Sequence, residues 1–453
     1  MKENWLTSGK ERGSYGLWFV GQNIIYMLVL QYITIYLTDE VGILPAAVAL
    51  LLIIARVWDA INDPLLGALV DKTTPKKGKF KPWINAVSLI MPIATILLFW
   101  NFNGGAGFNL TYAYITYIVW GMIYTISDVP IFALALTMTD KNEERVSIMS
   151  IGRLAAGLAS LVVGIIAAPA IDSLGYTTAV IILMVISLLV MLPLRFMVKE
   201  RIVYNRSGGT SLKDMFKAIT SNKYLLIFYL SFILIMSTFT GMSIGPYFAK
   251  WNLGDLSLNA LIMGSMAPAM ILLPIVLPKL IRSFGKRKIF ISGMILSIVT
   301  SVVQYFAGYD NLPIFLLLNF IKSVGLVAPM LMMGMFTTDC VEYGDWKNGN
   351  RKEGVTFSIQ TFSTKLGGAM SGALAIAFIG WYGYDGAIDA EVASQSTEAL
   401  NGIWLATSIV PVIGLVLGLI VFTAFYKLSE EEVEGMMKET KARRVVLSNE
   451  DAT

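Results

Sequence analysis

The sequence predicts an all-α polytopic membrane protein: twelve transmembrane helices in two six-helix bundles, with both termini in the cytoplasm. Three observations carry this. Hydrophobic residues make up 56% of the 453 positions and charged residues only 15%, where a soluble chain has about 25% charged; the mean hydropathy is +0.67. Apolar runs of about 20 residues, enough for a helix to cross about 30 Å of hydrocarbon, recur along the whole chain. Basic residues crowd into alternate loops. A soluble multi-domain enzyme is thereby excluded. The chain has no histidine, so His-dependent catalysis and His-ligated metal centres are excluded too. Its one cysteine, Cys340, allows no disulfide within the chain.

The expected spans, in order, are 15–38, 44–70, 83–101, 109–138, 146–171, 177–197, 223–249, 258–281, 288–307, 312–338, 355–382 and 401–426. The leading segment MKENWLTSGKERGS is polar and longer than the short basic start of a secretory signal, so no cleaved signal is expected. Orientation follows from Lys and Arg, which hold short loops in the cytoplasm. They occupy the N-terminus (Lys2, Lys10, Arg12), the second loop (Lys72 to Lys81), Lys141 and Arg145, the 199–223 stretch, Lys279 to Lys288, Lys347 to Lys352 and the tail. The opposite loops hold only Lys250. A nucleic-acid patch is the wrong reading of such alternation.

The polar stretch 199–222, with the run NRSGGTS, divides the chain into six spans and six. The expected domains are a bundle over 1–198, a cytoplasmic loop over 199–222, a bundle over 223–428 and a cytoplasmic tail over 429–453. The loop DKTTPKKGKFKPW after the second span has a weaker counterpart, RSFGKRKIF, after the eighth. Parallel six-helix repeats with a substrate site between them are a common transporter plan. The acidic stretch from Ser429 to Glu439 reads as a short helix with no role in transport.

Charges expected at membrane depth are few: Arg56, Asp59, Asp63, Asp128, Arg153, Lys322 and Lys365. Each would cost about 2.5–3.5 kcal/mol at a helix centre if unpaired, so each pairs or lines a wet cavity. Asp59 and Asp63 stand four apart in RVWDAINDP and share one helical face. Their mutual repulsion is relieved by a bound cation or a shared proton, and Asn62 offers an amide oxygen beside them. Na⁺, Li⁺ and H⁺ all fit. The competing reading is a structural pair of Asp59 with Arg56. Asp128, Arg153 and Lys365 form a mixed donor and acceptor set suited to a polyhydroxylated ligand, or alternatively inter-helix salt bridges. Tyr26, Trp58, Tyr124 and Phe132 could stack on a sugar ring. Lys322, alone in NFIKSVG, reads as structural or snorkelling.

Several segments together resemble the glycoside-pentoside-hexuronide cation symporters of the major facilitator superfamily, the melibiose permease type. They are YGLWFVGQNIIYM, YLTDEVGI, RVWDAINDPLLGALVD, GKFKPW, YTISDVP, DKNEERVSIMSIGR, DCVEYGDWKNGNRKEGVTFSIQTFSTK and QSTEALNGI, in order along most of the chain. The resemblance implies the major facilitator fold, with coupling-cation ligands at Asp59, Asn62, Asp63 and Thr125. It implies sugar contacts from Asp128 and Arg153, and a link between bundles at Lys365. The first-span Lys–Asp pair of the melibiose type is Gln22–Asn23 here, and the stacking tryptophan is Phe132, departures that point away from an α-galactoside. Gln360 and Thr361 are placed to add polar contacts.

The expected function is cation-coupled symport of a glycoside or oligosaccharide, a pentoside or hexuronide included, into the cell by alternating access. No catalytic residue, cofactor or metal beyond the transported cation is expected. The partners are a small-molecule glycoside, the cation (Na⁺, alternatively H⁺ or Li⁺) and the lipid of a bacterial cytoplasmic membrane, with the monomer as the working unit and no nucleic acid. The alternatives are an uncoupled sugar facilitator or exchanger, or a transporter-like sugar sensor. A membrane-embedded enzyme would need a reactive constellation, and none is present in the sequence.

Overall fold

Backbone in hydrocarbon must satisfy its own hydrogen bonds, and this chain does so with helices. A computed structural model describes residues 5–72, 78–202, 217, 220–349, 353–388 and 393–450, with no strand among them. In order, the helices are α1 (Gly9–Ile35), α2 (Pro45–Lys72), α3 (Lys81–Leu98), α4 (Ala106–Met138), α5 (Asn142–Leu174) and α6 (Tyr176–Met197). Then come α7 (Lys223–Ser237), α8 (Gly241–Tyr247), α9 (Asn259–Phe284), α10 (Lys286–Ala307), α11 (Leu312–Asn348), α12 (Glu353–Trp381), α13 (Thr397–Ser408), α14 (Val410–Phe425) and α15 (Glu430–Glu450). Eleven helical stretches among the described residues are long and apolar enough to cross a membrane. The second expected span falls on α2, a 28-residue helix outside those eleven, only part of whose side chains are described.

The helices outrun the apolar runs. α1 begins at Gly9 because Ser8 and Glu11 form a reciprocal capping box. α11 continues through the polar DCVEYGDWKN to a left-handed Gly349. The seventh span breaks at Thr238–Thr240, where the Phe239 carbonyl accepts a bond from Ser371 Oγ at 2.6 Å. The last span restarts at Pro411, which lacks the N–H that a continuous helix would use. Leu154, Leu158, Val162 and Ile165 form an exposed stripe along α5, the face a lipid-embedded helix presents to acyl chains.

By contacts the chain forms two compact units. The first holds 1–209, 242–264 and 376–403. In it α1 packs on α5 and α6, α2 on α4, and α3 on α4 and α6. Tyr15, Trp18 and Tyr32 of α1 are fully buried, and Ser187 Oγ donates to the Gly21 carbonyl at 2.7 Å, tying α6 to α1.

The second unit holds 210–241, 265–375 and 404–453. Its core is aromatic: Phe228, Phe290, Phe336, Phe422 and Tyr426. α10 crosses α11 at paired glycines, where a Cβ on Gly325 would stand 2.5 Å from the Gly293 carbonyl oxygen. Lys322 does not snorkel: it is 8% exposed and its Nζ donates to Gln304 Oε1 at 2.8 Å. The tail helix rests against the second unit's long helix. Trp346 Nε1 donates to Glu439 at 2.6 Å, docking α15 on α11.

Each unit repeats one device. Past α6, the Glu200 carboxylate accepts from the backbone N–H groups of Lys79, Phe80 and Lys81 at 2.8, 3.0 and 2.7 Å, and Lys81 Nζ reaches the Val198 carbonyl at 2.7 Å. Past α14, Glu430 accepts from the Lys286 N–H at 2.6 Å, and Arg287 reaches the Thr423 carbonyl at 3.4 Å. In both, a carboxylate caps a helix start and favours its positive dipole end. This pairs the loops whose sequences only faintly match. Residues 73–77 and most of 203–219 lie outside the described residues.

Candidate functional site

Of the charges expected at membrane depth in the first unit, Arg56 and Asp59 lie on α2, Asp128 on α4 and Arg153 on α5. On α2, Arg56 NH1 donates to Asp59 Oδ2 at 2.8 Å, one turn away. The same guanidinium lies beside the Tyr117 hydroxyl of α4. A Cβ built on Gly121 of α4 would stand 3.3 Å from Asp59 Oδ1, so glycine lets the carboxylate lie against that helix. Arg56 with Tyr117, and Asp59 with Gly121, set α2 and α4 in parallel register. One more turn brings positions 62 and 63 of α2 level with Thr125 of α4. Asn62 is 4% exposed and Thr125 2%. Asn62 Nδ2 is buried with no partner among the described residues. The side chain of Asp63 lies outside the described residues. Carboxylate, amide and hydroxyl oxygens are the hard donors that suit an alkali cation.

The sugar-side candidates of the first unit lie on α1, α4 and α5. Gln22 of α1, 1% exposed, donates through Nε2 to Ser127 Oγ at 2.9 Å and to Asp128 Oδ1 at 3.1 Å. Ser127 Oγ donates in turn to the Tyr124 carbonyl at 2.7 Å, and the chain of bonds fixes the Asp128 carboxylate. Asn23 does something else: its Nδ2 donates to the Phe19 carbonyl of its own helix at 2.9 Å. Tyr26 stacks on Tyr124 at 5.1 Å, and Tyr124 on Trp120 at 5.5 Å, making an aromatic ladder beside the Arg56–Asp59 pair. Phe132 packs edge-on to Phe19 at 5.5 Å and keeps 40% of its surface exposed. Arg153 of α5 is exposed, and both it and Asp128 lie within electrostatic reach of the Tyr15 hydroxyl.

Gln360, Thr361 and Lys365 lie on α12 in the second unit. Gln360 Oε1 is buried without a partner among the described residues, Thr361 is exposed and Lys365 half-buried. Trp58 is exposed on α2. Sequence reasoning missed Ser127, Tyr117 and Gly121. Ser127 was signalled by its place beside Asp128. Gly121 and Tyr117 carry no signal until the register of α2 on α4 is known.

Comparison with known proteins agrees with this architecture. The family described as MFS/sugar transport protein matches residues 14–430. The chain is 31% identical over 434 residues to the uncharacterized symporter YnaJ of Bacillus subtilis (strain 168), covering 93% of this chain and 92% of the relative. It is 28% identical to an isoprimeverose transporter of Lactiplantibacillus pentosus, covering 93% and 89%. A crystal structure of the nucleoside transporter NupG superposes with a TM-score of 0.65 over 93% of this chain and all of that one; at 13% identity the likeness is one of fold.

Proposed function

The chain belongs to the MFS/sugar transport protein family, and from that premise we propose that it couples the uptake of a glycoside to an alkali cation held by Asp59, Asn62, Asp63 and Thr125. It is a multi-pass bacterial membrane protein and a transporter, not an enzyme; one relative is named as a symporter and another as an isoprimeverose transporter, which together support transport of sugar by symport. The finer reading adds a cation, a substrate and roles for residues. Na⁺ is the proposed ion, with H⁺ and Li⁺ as the other candidates. The proposed cargo is a glycoside or oligosaccharide, a pentoside or hexuronide included; amides in place of an ionised first-span pair suit a uronate carboxylate and neutral hydroxyls alike.

The observation that carries the reading is the register of α2 on α4, with Asp59 against Gly121 and the next turn of α2 level with Thr125. In this arrangement Arg56 neutralises Asp59 when no cation is bound, and an arriving cation competes for that carboxylate. Gln22 and Ser127 hold Asp128 to accept from sugar hydroxyls, Arg153 donates to them, and Tyr26, Tyr124 and Phe132 offer ring faces. Asn23 tunes α1 through its own backbone. Gln360, Thr361 and Lys365 of α12 are the remaining polar candidates for the sugar. Because Tyr124, Thr125 and Asp128 are neighbours on α4, an ion at one end of this stretch orders the sugar groups at the other. Coupling is then reciprocal: whatever factor the cation adds to sugar affinity, sugar adds to cation affinity.

The six-plus-six division at 199–222, twelve crossings, cytoplasmic termini and a monomeric carrier belong to the same proposal. Uptake of a labelled glycoside panel into proteoliposomes tests it, under an imposed Na⁺ gradient, a proton gradient or none. Accumulation driven by one gradient names cation and sugar together. Equilibration of a glycoside that no gradient can drive further makes the protein a facilitator.

A further inference from the structure

Two turns far apart in sequence are built alike. α1 runs into a π turn over Tyr36–Glu40, and α8 into a π turn over Phe248–Asn252. In the first, the N–H groups of Val41 and Ile43 bond the carbonyls of Tyr36 and Leu37 at 3.1 and 2.9 Å; in the second, those of Leu253 and Asp255 bond Phe248 and Ala249 at 3.1 and 3.0 Å. Each closes on a glycine of positive φ, Gly42 at 75° and Gly254 at 79°. This common register sets Thr38 and Asp39 against Lys250 and Trp251 as matching positions. π turns inside helices recur at functional sites.

The four matched side chains join in one network, all within the first unit. The Asp39 carboxylate, 2% exposed, accepts from Lys250 Nζ at 2.7 Å, Trp251 Nε1 at 3.3 Å and Thr38 Oγ1 at 2.8 Å. Tyr384, from the turn after α12, adds its hydroxyl at 2.5 Å and takes Trp251 Nε1 at 2.7 Å. One turn inward the Thr38 hydroxyl meets the Tyr247 hydroxyl at 2.9 Å, and Asn259 Nδ2 donates to Tyr32 at 2.9 Å. Burial, with the Asp39 charge beside it, pushes the Tyr384 hydroxyl well above its ordinary value, so it stays a donor. A carboxylate is kept this dry only where several donors converge on it.

We infer that Asp39, Lys250, Trp251 and Tyr384 form an outer latch that closes the extracytoplasmic mouth of the carrier and must open for sugar to enter. The inference rests on the proposed transport cycle and on the orientation in which the basic loops face the cytoplasm. It also accounts for Lys250, the lone basic residue of the opposite loops, as a gate residue. The energetics favour a switch. Closed, the ions exchange water for one another and for the neutral donors Trp251 and Tyr384; open, each recovers its hydration. The two states thus differ by little, and deleting one partner weakens only the closed one, where it strands the other charge. The latch residues position the helix ends and touch neither cation nor sugar.

Thr34, 2% exposed and facing Tyr247 one turn below Thr38, supplies the reporter. In Thr34→Cys protein, the rate of reaction with a membrane-impermeant maleimide added outside intact cells is measured. Adding Asp39→Asn or Tyr384→Phe should raise it about tenfold, the scale of one lost charge-assisted hydrogen bond, while buried Cys340 in the otherwise unaltered parent stays unreactive. Tyr384→Phe removes a single hydroxyl and guards against misfolding of the Asp39 variant. Rates unchanged in both variants, or a rise accompanied by Cys340 labelling, would overturn the latch. Labelling needs no sugar, so its outcome is separate from the failure of any glycoside to accumulate.

Discussion

Arg56 and Asp59 meet at 2.8 Å across one turn of α2, and the other oxygen of the same carboxylate lies against Gly121 of α4. Asp59 therefore has an internal counter-ion in place before any cation arrives. The pair is part-buried, with side chains 23% and 17% exposed, so water screens it incompletely.

Removing the counter-ion should favour the external one. Arg56→Gln is predicted to lower the cation concentration for half-maximal sugar binding by about three- to tenfold. Titrating cation against binding of a fixed labelled glycoside checks this; an unchanged midpoint would mean that Arg56 does not compete.

Gly121→Ala acts on the same carboxylate from the other side. Its Cβ would sit 3.3 Å from Asp59 Oδ1, so the carboxylate must give way. The expected result is a weaker cation response, about threefold, with the glycoside KM at saturating cation unaltered. A change in KM alone would place Gly121 on the sugar side.

Gln22→Leu frees Asp128 from its 3.1 Å donor. Loss of that orientation should raise the glycoside KM about tenfold, and the accumulation ratio should persist because the cation ligands are untouched. Initial rates and plateau levels measured on the same vesicles separate the two. Asn23→Leu, whose amide bonds the Phe19 carbonyl of its own helix, should shift KM far less.

Glu200→Gln tests the fold. The carboxylate serves three consecutive backbone N–H groups, and an amide serves them with one oxygen and no charge. A loss of about 1–3 kcal/mol is expected, read as a lower midpoint in thermal unfolding in detergent. Glu430→Gln, with one such bond, should lose less.

Helices were legible because hydrocarbon fixes their length: each expected span falls on a helix or helix pair, and all but the second on a stretch long and apolar enough to cross a membrane. Their ends were less so. The Ser8–Glu11 capping box stood in the sequence as a start signal, whereas the break at Thr238–Thr240 falls inside an apolar run that reads as continuous, at the point where Ser371 bonds the Phe239 carbonyl. In the site, Asp59 and Asp128 stood out because charge in lipid is costly. What they touch did not. Gln22 and Asn23 look equivalent as adjacent amides, yet the 100° between neighbours on a helix sends one to Asp128 and the other to its own backbone. The register of α2 on α4 depends on Gly121, one glycine of 39. The matching π turns at Glu40 and Asn252 share geometry with little sequence.

The central claim is that the α2 aspartates convert a cation gradient into sugar accumulation. The most direct measurement is the internal-to-external ratio of labelled glycoside in vesicles with an imposed Na⁺ gradient, for the parent, Asp59→Asn and Asp63→Asn, beside exchange of sugar at equal concentrations. Accumulation lost in both variants with exchange retained is the predicted result. Accumulation at parental level in either variant would contradict it.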